Sequence, residues 1–184
     1  MEQFKFDDDV KNRRQIEYAV VIYLPDNLDK IAQQFRERYD PVYKQVSAHL
    51  TIVFPFQTSK SIADMSDMLQ EVASNFNPLT VELETIGDFY PRSPVIYWNI
   101  KENQNLTELY YQLYSKFGLA LPHKIYKPHV TLAREISPHR VEHVKDAIAS
   151  YLPNETFFAT AIDLVTPLAN FKWVSVRTFP FKIV

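Results

Sequence analysis

Cysteine is absent from the 184 residues, so the chain can form no disulfide and has no thiol for catalysis or metal binding. Only two glycines occur, Gly87 and Gly118, whereas loops that bind phosphates or dinucleotides need several glycines at fixed spacing. No apolar run approaches the roughly 20 residues that cross a bilayer. Residues 1–15 are polar and lack the apolar core of a signal peptide. We therefore expect a cytoplasmic protein with residues 1–15 as an N-terminal extension.

A strong charge of one sign is also missing. The formal net charge is −2 and the pI is about 6.2, so no global basic field exists to hold long nucleic acid. A nucleic-acid partner would have to be small or gripped only at an end. Hydrophobic residues make up 46% of the chain, which is enough for the core of a single domain. We expect a monomer with no extended nucleic-acid surface.

What is present is an alternation of strand and helix patterns typical of an α+β domain. Alternating or β-branched runs predict strands near residues 18–24, 48–54, 79–86, 95–100, 129–132, 157–165 and 172–179. Apolar residues at helical spacing predict helices between them. These helices are expected to start near Asn27, at Ser59 or Ser61, near Leu106 and at Ser137.

Two of the predicted strands share one pattern, His49-Leu50-Thr51-Ile52 and His129-Val130-Thr131-Leu132. Alternate side chains of a strand face opposite sides, so each strand presents one imidazole and one hydroxyl on the same face. A single histidine in a strand is more often structural than catalytic. Two matching tetrapeptides favour a shared active site.

The two tetrapeptides lie in matching sequence contexts. Val20 precedes His49 by 29 residues, and Ile100 precedes His129 by the same interval. This spacing predicts a duplicated domain, with a first half at about 16–90 and a second at about 91–184. A pseudo-two-fold axis between the halves would place one motif strand from each at the centre.

At these motifs the sequence resembles the 2H phosphoesterase superfamily, which is named for two His-x-(Ser/Thr)-x motifs. The segment Gly87-Asp88-Phe89-Tyr90-Pro91-Arg92, followed by Val95-Ile96-Tyr97-Trp98, is similar to one found in bacterial 2′-5′ RNA ligase-like members. The segment from Phe35 to Pro41 is similar to the approach to the first motif in YjcG-like bacterial proteins. The resemblance covers about residues 16–183. Ala48 departs from it, because many members have proline there.

The resemblance implies a bilobal, duplicated fold of two related antiparallel sheets with flanking helices and a central active-site cleft. It also implies metal-free chemistry without a cofactor, hydrolysing or forming 2′-linked phosphodiesters. Known members act on 2′,3′-cyclic phosphates, on related cyclic nucleotide products or on 2′-5′-linked RNA. The substrate of this chain would be a small nucleotide or an RNA end.

These residue types suit the chemistry. Opening a cyclic phosphodiester requires removing a proton from water and delivering one to a sugar oxygen, and histidine does both near neutral pH. We expect His49 and His129 to be the acid and base, in roles that the sequence leaves open. Thr51 and Thr131 are expected to donate hydrogen bonds to the phosphate oxygens.

Other residues are weaker candidates. Lys127 shares the alternation phase of His129 and could approach a phosphate, as could Arg92 in a turn. Phe56, Tyr90, Trp98 and Tyr126 could stack a base. For Arg134, His123, His139 and His143 we expect surface or structural roles. A metal site is not expected, although His139 and His143 are spaced four apart.

Two alternatives to hydrolysis stay open. A non-catalytic module could use the same fold to bind RNA ends or nucleotides, and a 2′-5′ RNA ligase could run the reaction in reverse. The intact pair of histidines favours catalysis, because a binder has no chemical need for two imidazoles placed as a pair.

Overall fold

The computed structural model describes residues 16–122 and 125–182. The expected N-terminal extension, residues 1–15, and His123 lie outside the described residues. The described residues form eight strands and four α-helices. In chain order they are β1 Glu17–Tyr23, α1 Asp26–Tyr39, β2 His49–Gln57, α2 Ile62–Ala73, β3 Leu79–Asp88, β4 Ile96–Ile100, α3 Gln104–Phe117, β5 His129–Ala133, α4 Val141–Ala149, β6 Glu155–Ala159, β7 Ala161–Pro167 and β8 Trp173–Pro180.

The strands form one antiparallel sheet in the order β6-β3-β4-β5-β2-β1-β7-β8. The α+β class and the antiparallel pairing are confirmed, and the two motif strands β2 and β5 lie at the centre as expected. The expectation of two separate sheets is wrong. The reason is that β2 and β5 pair directly with each other, through Leu50 and Val130, and so join the two groups of strands.

The sequence predicts one strand over residues 157–165, but this stretch contains parts of two, β6 and β7. Thr160 alone separates them, yet β6 pairs with β3 while β7 pairs with β1 and β8. Five strands lie between them in the sheet, so a flat sheet would hold them about 29 Å apart. One intervening residue spans only about 7 Å. The sheet must therefore curl until its β6 edge returns to β7.

Local sequence signals explain the helix ends close to the site-bearing strands. Ser61 caps α2 in a reciprocal capping box with Asp64, since each side chain accepts from the other residue's backbone N–H. Asn103 caps α3, which ends where Gly118 takes the left-handed conformation at φ 69°. The predicted helix from Ser137 begins instead as a 3₁₀ turn, Pro138–Arg140, before α4.

The core lies on the face of the sheet that receives the apolar residues of the motif strands. Leu50, Ile52, Val130 and Leu132 are each at most 1% exposed. Burying them fixes the register of both strands, since a slip of one residue would turn the apolar set outward. The polar residues between them must then point to the opposite face. No helix among the described residues has the length and apolar character to span a membrane.

Candidate active site

The four motif side chains share one face of the central strand pair. Leu50 pairs with Val130 in the antiparallel β2–β5 ladder. This register puts His49 in the same row as Thr131, and Thr51 in the same row as His129. All four side chains are partly exposed, while their neighbours along each strand are buried. The predicted face is therefore correct for both motifs.

Both imidazoles are held in the same way. His49 Nδ1 lies 2.8 Å from the Ser47 carbonyl oxygen, and His129 Nδ1 lies 2.8 Å from that of Lys127. A carbonyl can only accept, so Nδ1 must carry the proton and donate it. The other ring nitrogen, Nε2, is then free to accept or donate a proton. Each histidine is tethered to the residue two places before it, so the arrangement is repeated in the two strands.

The threonines add hydrogen-bond donors. Among the described residues neither Thr51 Oγ1 nor Thr131 Oγ1 has a hydrogen-bond partner, so both are available to a ligand. The backbone of Thr51 is fixed from elsewhere, since Tyr126 donates its hydroxyl hydrogen to the Thr51 carbonyl at 3.1 Å. A contact from a distant part of the chain thus helps to fix the position of the Thr51 hydroxyl.

His129 lies against aromatic rings. Its ring centre is 5.0 Å from that of Phe89 and 5.2 Å from that of Tyr97. Tyr97 is 1% exposed and lies across Gly87, where a Cβ would be 2.6 Å from the tyrosine ring. Only glycine at position 87 leaves room for the Tyr97 ring in this position. Lys127 Nζ lies 5.1 Å from the Tyr97 ring centre, which holds its charge beside His129.

His49 has more open surroundings. Its nearest aromatic neighbour is Tyr23, with ring centres 6.3 Å apart and an edge-on arrangement. A cavity of about 340 Å³ adjoins this side of the site and is lined in part by Tyr23 and Ser47. The residue that fixes His49 therefore also forms part of the cavity wall.

Buried charges lie close to His49. Asp40 accepts from Arg36 Nε at 3.0 Å and lies 3.0 Å from Arg134 Nε, and its carboxylate is fully shielded from solvent. Arg36 also donates to the Val46 carbonyl at 2.8 Å. Two guanidinium groups thus share one carboxylate, which leaves about one net positive charge. We name Arg36, Asp40 and Arg134 the charge triad.

Burial and the triad favour neutral imidazoles. Burial, and then the positive charges of Arg36, Arg134 and a protonated His129, lower the pKa of His49 to about 4. Burial, followed by the positive charges of Lys127 and Arg134, also lowers the pKa of His129. The Nδ1 hydrogen bonds oppose both shifts. A bound phosphate would raise both pKa values by supplying negative charge.

Of the weaker candidates, Lys127 lies at the site and Arg92 lies exposed in the turn before β4. Phe56 is buried, so its ring cannot stack a base as expected, whereas the partly buried Tyr126 stays a predicted contact. Phe56 is packed between Tyr18 and Phe117, and the Tyr126 ring is stacked on Tyr110 at 4.1 Å.

The structure also places the other aromatic candidates and the residues for which a structural or surface role is expected. Trp98 is fully buried and donates to the Glu84 carbonyl, so it cannot stack a base. Tyr90 is 48% exposed and stays a candidate for stacking a base.

The structural role expected for Arg134 is confirmed by its ion pair with Asp40. His139 and His143 are exposed, as expected. Among the described residues no three His, Asp or Glu side chains cluster as a metal site would require.

Sequence reasoning missed the charge triad, although a signal for it exists. Leu28, Ala32 and Arg36 follow one another at intervals of four and are the buried residues of α1. A charged residue on the buried stripe of a helix needs a partner. Asp40, four residues further on, supplies it. The roles of Tyr23 and Tyr97 had no such local signal, because both lie in apolar runs.

Comparisons with known proteins identify the family of this chain. The family model of the 2′-5′ RNA ligase superfamily matches residues 24–170. A Geobacillus kaustophilus protein named "Putative phosphoesterase" is 27% identical over 168 residues, which covers 89% of this chain and 95% of the relative. One of the same name from Bacillus licheniformis is 29% identical over 168 residues, covering 89% and 98%.

Solved structures share the fold at lower identity. E. coli LigT complexed with 3′-AMP superposes with a TM-score of 0.65 at 18% identity, covering 91% of this chain and 99% of LigT. A Thermus thermophilus protein gives a TM-score of 0.67 at 16% identity, covering 91% and 98%. With the family model matching most of the chain, this protein belongs to the 2′-5′ RNA ligase superfamily, the 2H phosphoesterases.

Proposed function

We propose that this protein is a metal-independent phosphodiesterase that hydrolyses 2′,3′-cyclic or 2′-5′-linked phosphodiesters in small nucleotides or RNA ends. The observation that carries the proposal is the matched pair of imidazoles. Each has Nδ1 committed to a carbonyl and Nε2 free, and each shares its face of the sheet with a threonine hydroxyl. A binding module would not need two identical acid/base groups.

Hydrolysis would use one Nε2 atom as the base and the other as the acid. One neutral imidazole accepts a proton from the attacking water as the new P–O bond forms. The other, protonated, imidazole donates its proton to the ribose oxygen as the old P–O bond breaks. In-line attack needs these two groups on opposite sides of the phosphorus, and the roles exchange when the reaction runs toward ligation.

The negative charge of the phosphate would be met by fixed groups. The hydroxyls of Thr51 and Thr131 donate hydrogen bonds to the non-bridging oxygens, and Lys127 adds a positive charge. The net charge of the triad acts over a longer distance. It favours an anionic ligand and keeps the unliganded imidazoles neutral.

We also infer that the halves 16–90 and 91–184 are related by duplication and enclose the site in a cleft. The strand order supports this, since β1 flanks β2 as β4 flanks β5. Outside them, β3 of the first half pairs with β4, and β7 of the second half pairs with β1. We propose that the protein acts as a monomer in the cytoplasm, on ligands of the size that E. coli LigT holds in its 3′-AMP and NADP⁺ complexes.

The test is turnover of adenosine 2′,3′-cyclic phosphate and of 2′-5′ diadenosine in excess EDTA. We expect hydrolysis of at least one of them, unchanged by EDTA. Loss of activity with EDTA and its return with a divalent metal would contradict metal independence. Binding of both compounds without any turnover would support the binding module instead, and joining of RNA ends without hydrolysis would support the ligase.

A further inference from the structure

The cavity beside His49 lies between α1, the loop that connects α1 to β2, and the start of β8. Its lining residues include Tyr23, Glu37, Tyr43, Lys44, Ser47, Lys172 and Trp173. Its volume of about 340 Å³ falls at the lower end of the roughly 300–1,000 Å³ typical of small-molecule sites. Its walls are tied together, because Trp173 N–H donates to the Gln45 carbonyl at 2.7 Å.

Space around the two imidazoles is distributed unevenly. Phe89 and Tyr97 pack against His129 and fill that side of the site. His49 borders the cavity through Tyr23 and through Ser47, whose carbonyl accepts from His49 Nδ1. A substrate whose phosphorus lies between the imidazoles would have room for its larger part on the His49 side.

The walls combine a flat ring with positive charge. Trp173 packs on a small apolar patch formed by Ala19, Val21 and Val165, which supports its indole as a platform. Lys44 lies 5.4 Å from the ring centre of Tyr43, and Lys172 directly precedes Trp173. The lining includes two lysines but only one carboxylate, that of Glu37, so the cavity carries a net positive charge.

We propose that this cavity binds the nucleoside part of the substrate, with the base stacked on Trp173 and a second phosphate held by Lys44 and Lys172. The proposal rests on the proposed function. It selects a substrate class, namely RNA ends or nucleotides that carry a phosphate beyond the scissile one, over unphosphorylated cyclic mononucleotides. Stacking on an aromatic side chain is tolerant of base identity, and lysine recognises phosphate as a point charge.

The kinetic test uses adenosine 2′,3′-cyclic phosphate with and without a 5′-phosphate, a pair that differs only in the second phosphate. We expect a lower KM for the phosphorylated compound. The double variant Lys44→Met/Lys172→Met should raise only that KM, by about tenfold, with kcat unchanged. Trp173→Ala should raise the KM of both compounds by roughly tenfold or more, and Trp173→Phe should restore most of the loss.

Lys116→Met is the matched control, because Lys116 pairs with Glu71 on the surface between α2 and α3, away from the cavity. It should leave both KM values unchanged. Equal KM values for the two compounds in the parent, or no change in KM on Trp173→Ala, would overturn the proposal. So would an equal rise for both compounds in the double lysine variant.

Binding without turnover separates this proposal from the function on which it rests. The chain has two tryptophans, Trp98 in the core and Trp173 in the cavity wall. Adenosine 3′,5′-bisphosphate should quench the fluorescence of the parent but not that of Trp173→Phe. Quenching without turnover of any substrate would reject the phosphodiesterase and keep the cavity assignment. Turnover without quenching would keep the phosphodiesterase and reject the cavity as the nucleoside site.

Discussion

His49 and His129 hold equivalent places in neighbouring strands, with the same Nδ1 tether and a threonine two residues later. Their surroundings differ. Phe89 and Tyr97 lie about 5 Å from His129 between ring centres, whereas His49 has Tyr23 at 6.3 Å and a cavity next to it. We infer that the reacting groups of this fold are symmetric and that substrate binding is not.

The largest effect is expected at the charge triad, on the His49 side. Asp40→Asn keeps the shape but leaves Arg36 and Arg134 without their counterion, and breaking a buried ion pair costs about 3–5 kcal/mol. Denaturant unfolding should show this loss. Glu82→Gln, in an exposed ion pair with Lys101, is the control and should cost much less, because solvent screens an exposed pair. Equal losses would mean that the triad is not a stabilising unit.

The next effect is a dependence of stability on pH at His49. Its pKa of about 4 in the folded protein is below the ordinary value of 6.5, so the unfolded state binds more protons between these values. The free energy of unfolding should therefore fall as pH falls through this window, by at most roughly 3 kcal/mol. His49→Asn should remove much of this slope, and the exposed His143→Asn should not. An unchanged slope in His49→Asn would refute the pKa shift.

The pH dependence of activity follows from the same shifts. Because the pKa of both imidazoles is lowered, both limbs of a bell-shaped kcat/KM profile should lie below about pH 6.5 in the free enzyme. Arg134→Met removes a positive charge that lowers both pKa values, so both limbs should move to higher pH. A profile that does not move would exclude Arg134 as a cause.

The two hydroxyls test the symmetry itself. Thr51→Val and Thr131→Val remove a hydroxyl each with little change in shape. Each should lower kcat by about 10²-fold, which is the usual effect of removing one donor to a developing charge. Similar losses would support symmetric phosphate binding, while a loss confined to one variant would limit the symmetry to the imidazoles. Steady-state kinetics in the same buffer measures both.

The smallest effect concerns the packed side of the site. Gly87→Ala would push a Cβ against the Tyr97 ring that contacts His129, so it should cost about 1–3 kcal/mol of stability and also reduce kcat. Gly118→Ala is the matched control for Gly87→Ala. It strains the backbone, because Gly118 is in the left-handed conformation, but its added Cβ would contact no other residue. It should lower stability with kcat unchanged. Equal kcat values in both variants would show that the Tyr97 contact has no catalytic effect.

The sequence predicts well which face of the sheet carries the motif side chains, because strand alternation is a local property. His49 and Thr51 share a face whatever surrounds them, and the buried Leu50 confirms the direction. The curl of the sheet is not local. Nothing within residues 157–165 indicates that the chain leaves one edge at Thr160 to pair beside β1, since apolar residues dominate on both sides of Thr160.

Side-chain roles outside the motifs depend on tertiary packing in the same way. Phe56 is a candidate for base stacking because it is aromatic, but Phe117, a neighbour distant in sequence, packs against its buried ring. The cavity beside His49 could not be predicted from the sequence either, because its walls come from distant segments. Trp173 reaches it from a strand 124 positions after His49.

The central claim, that His49 and His129 act as one catalytic unit, is tested most directly by kcat/KM for His49→Asn, His129→Asn and the double variant. Asparagine keeps a donor for the carbonyl that holds Nδ1 and removes acid/base chemistry. Each single variant should lose about 10²–10⁴-fold, and the double variant should lose little more than either single variant. Near-parent activity in either single variant, or losses that multiply in the double variant, would contradict the account.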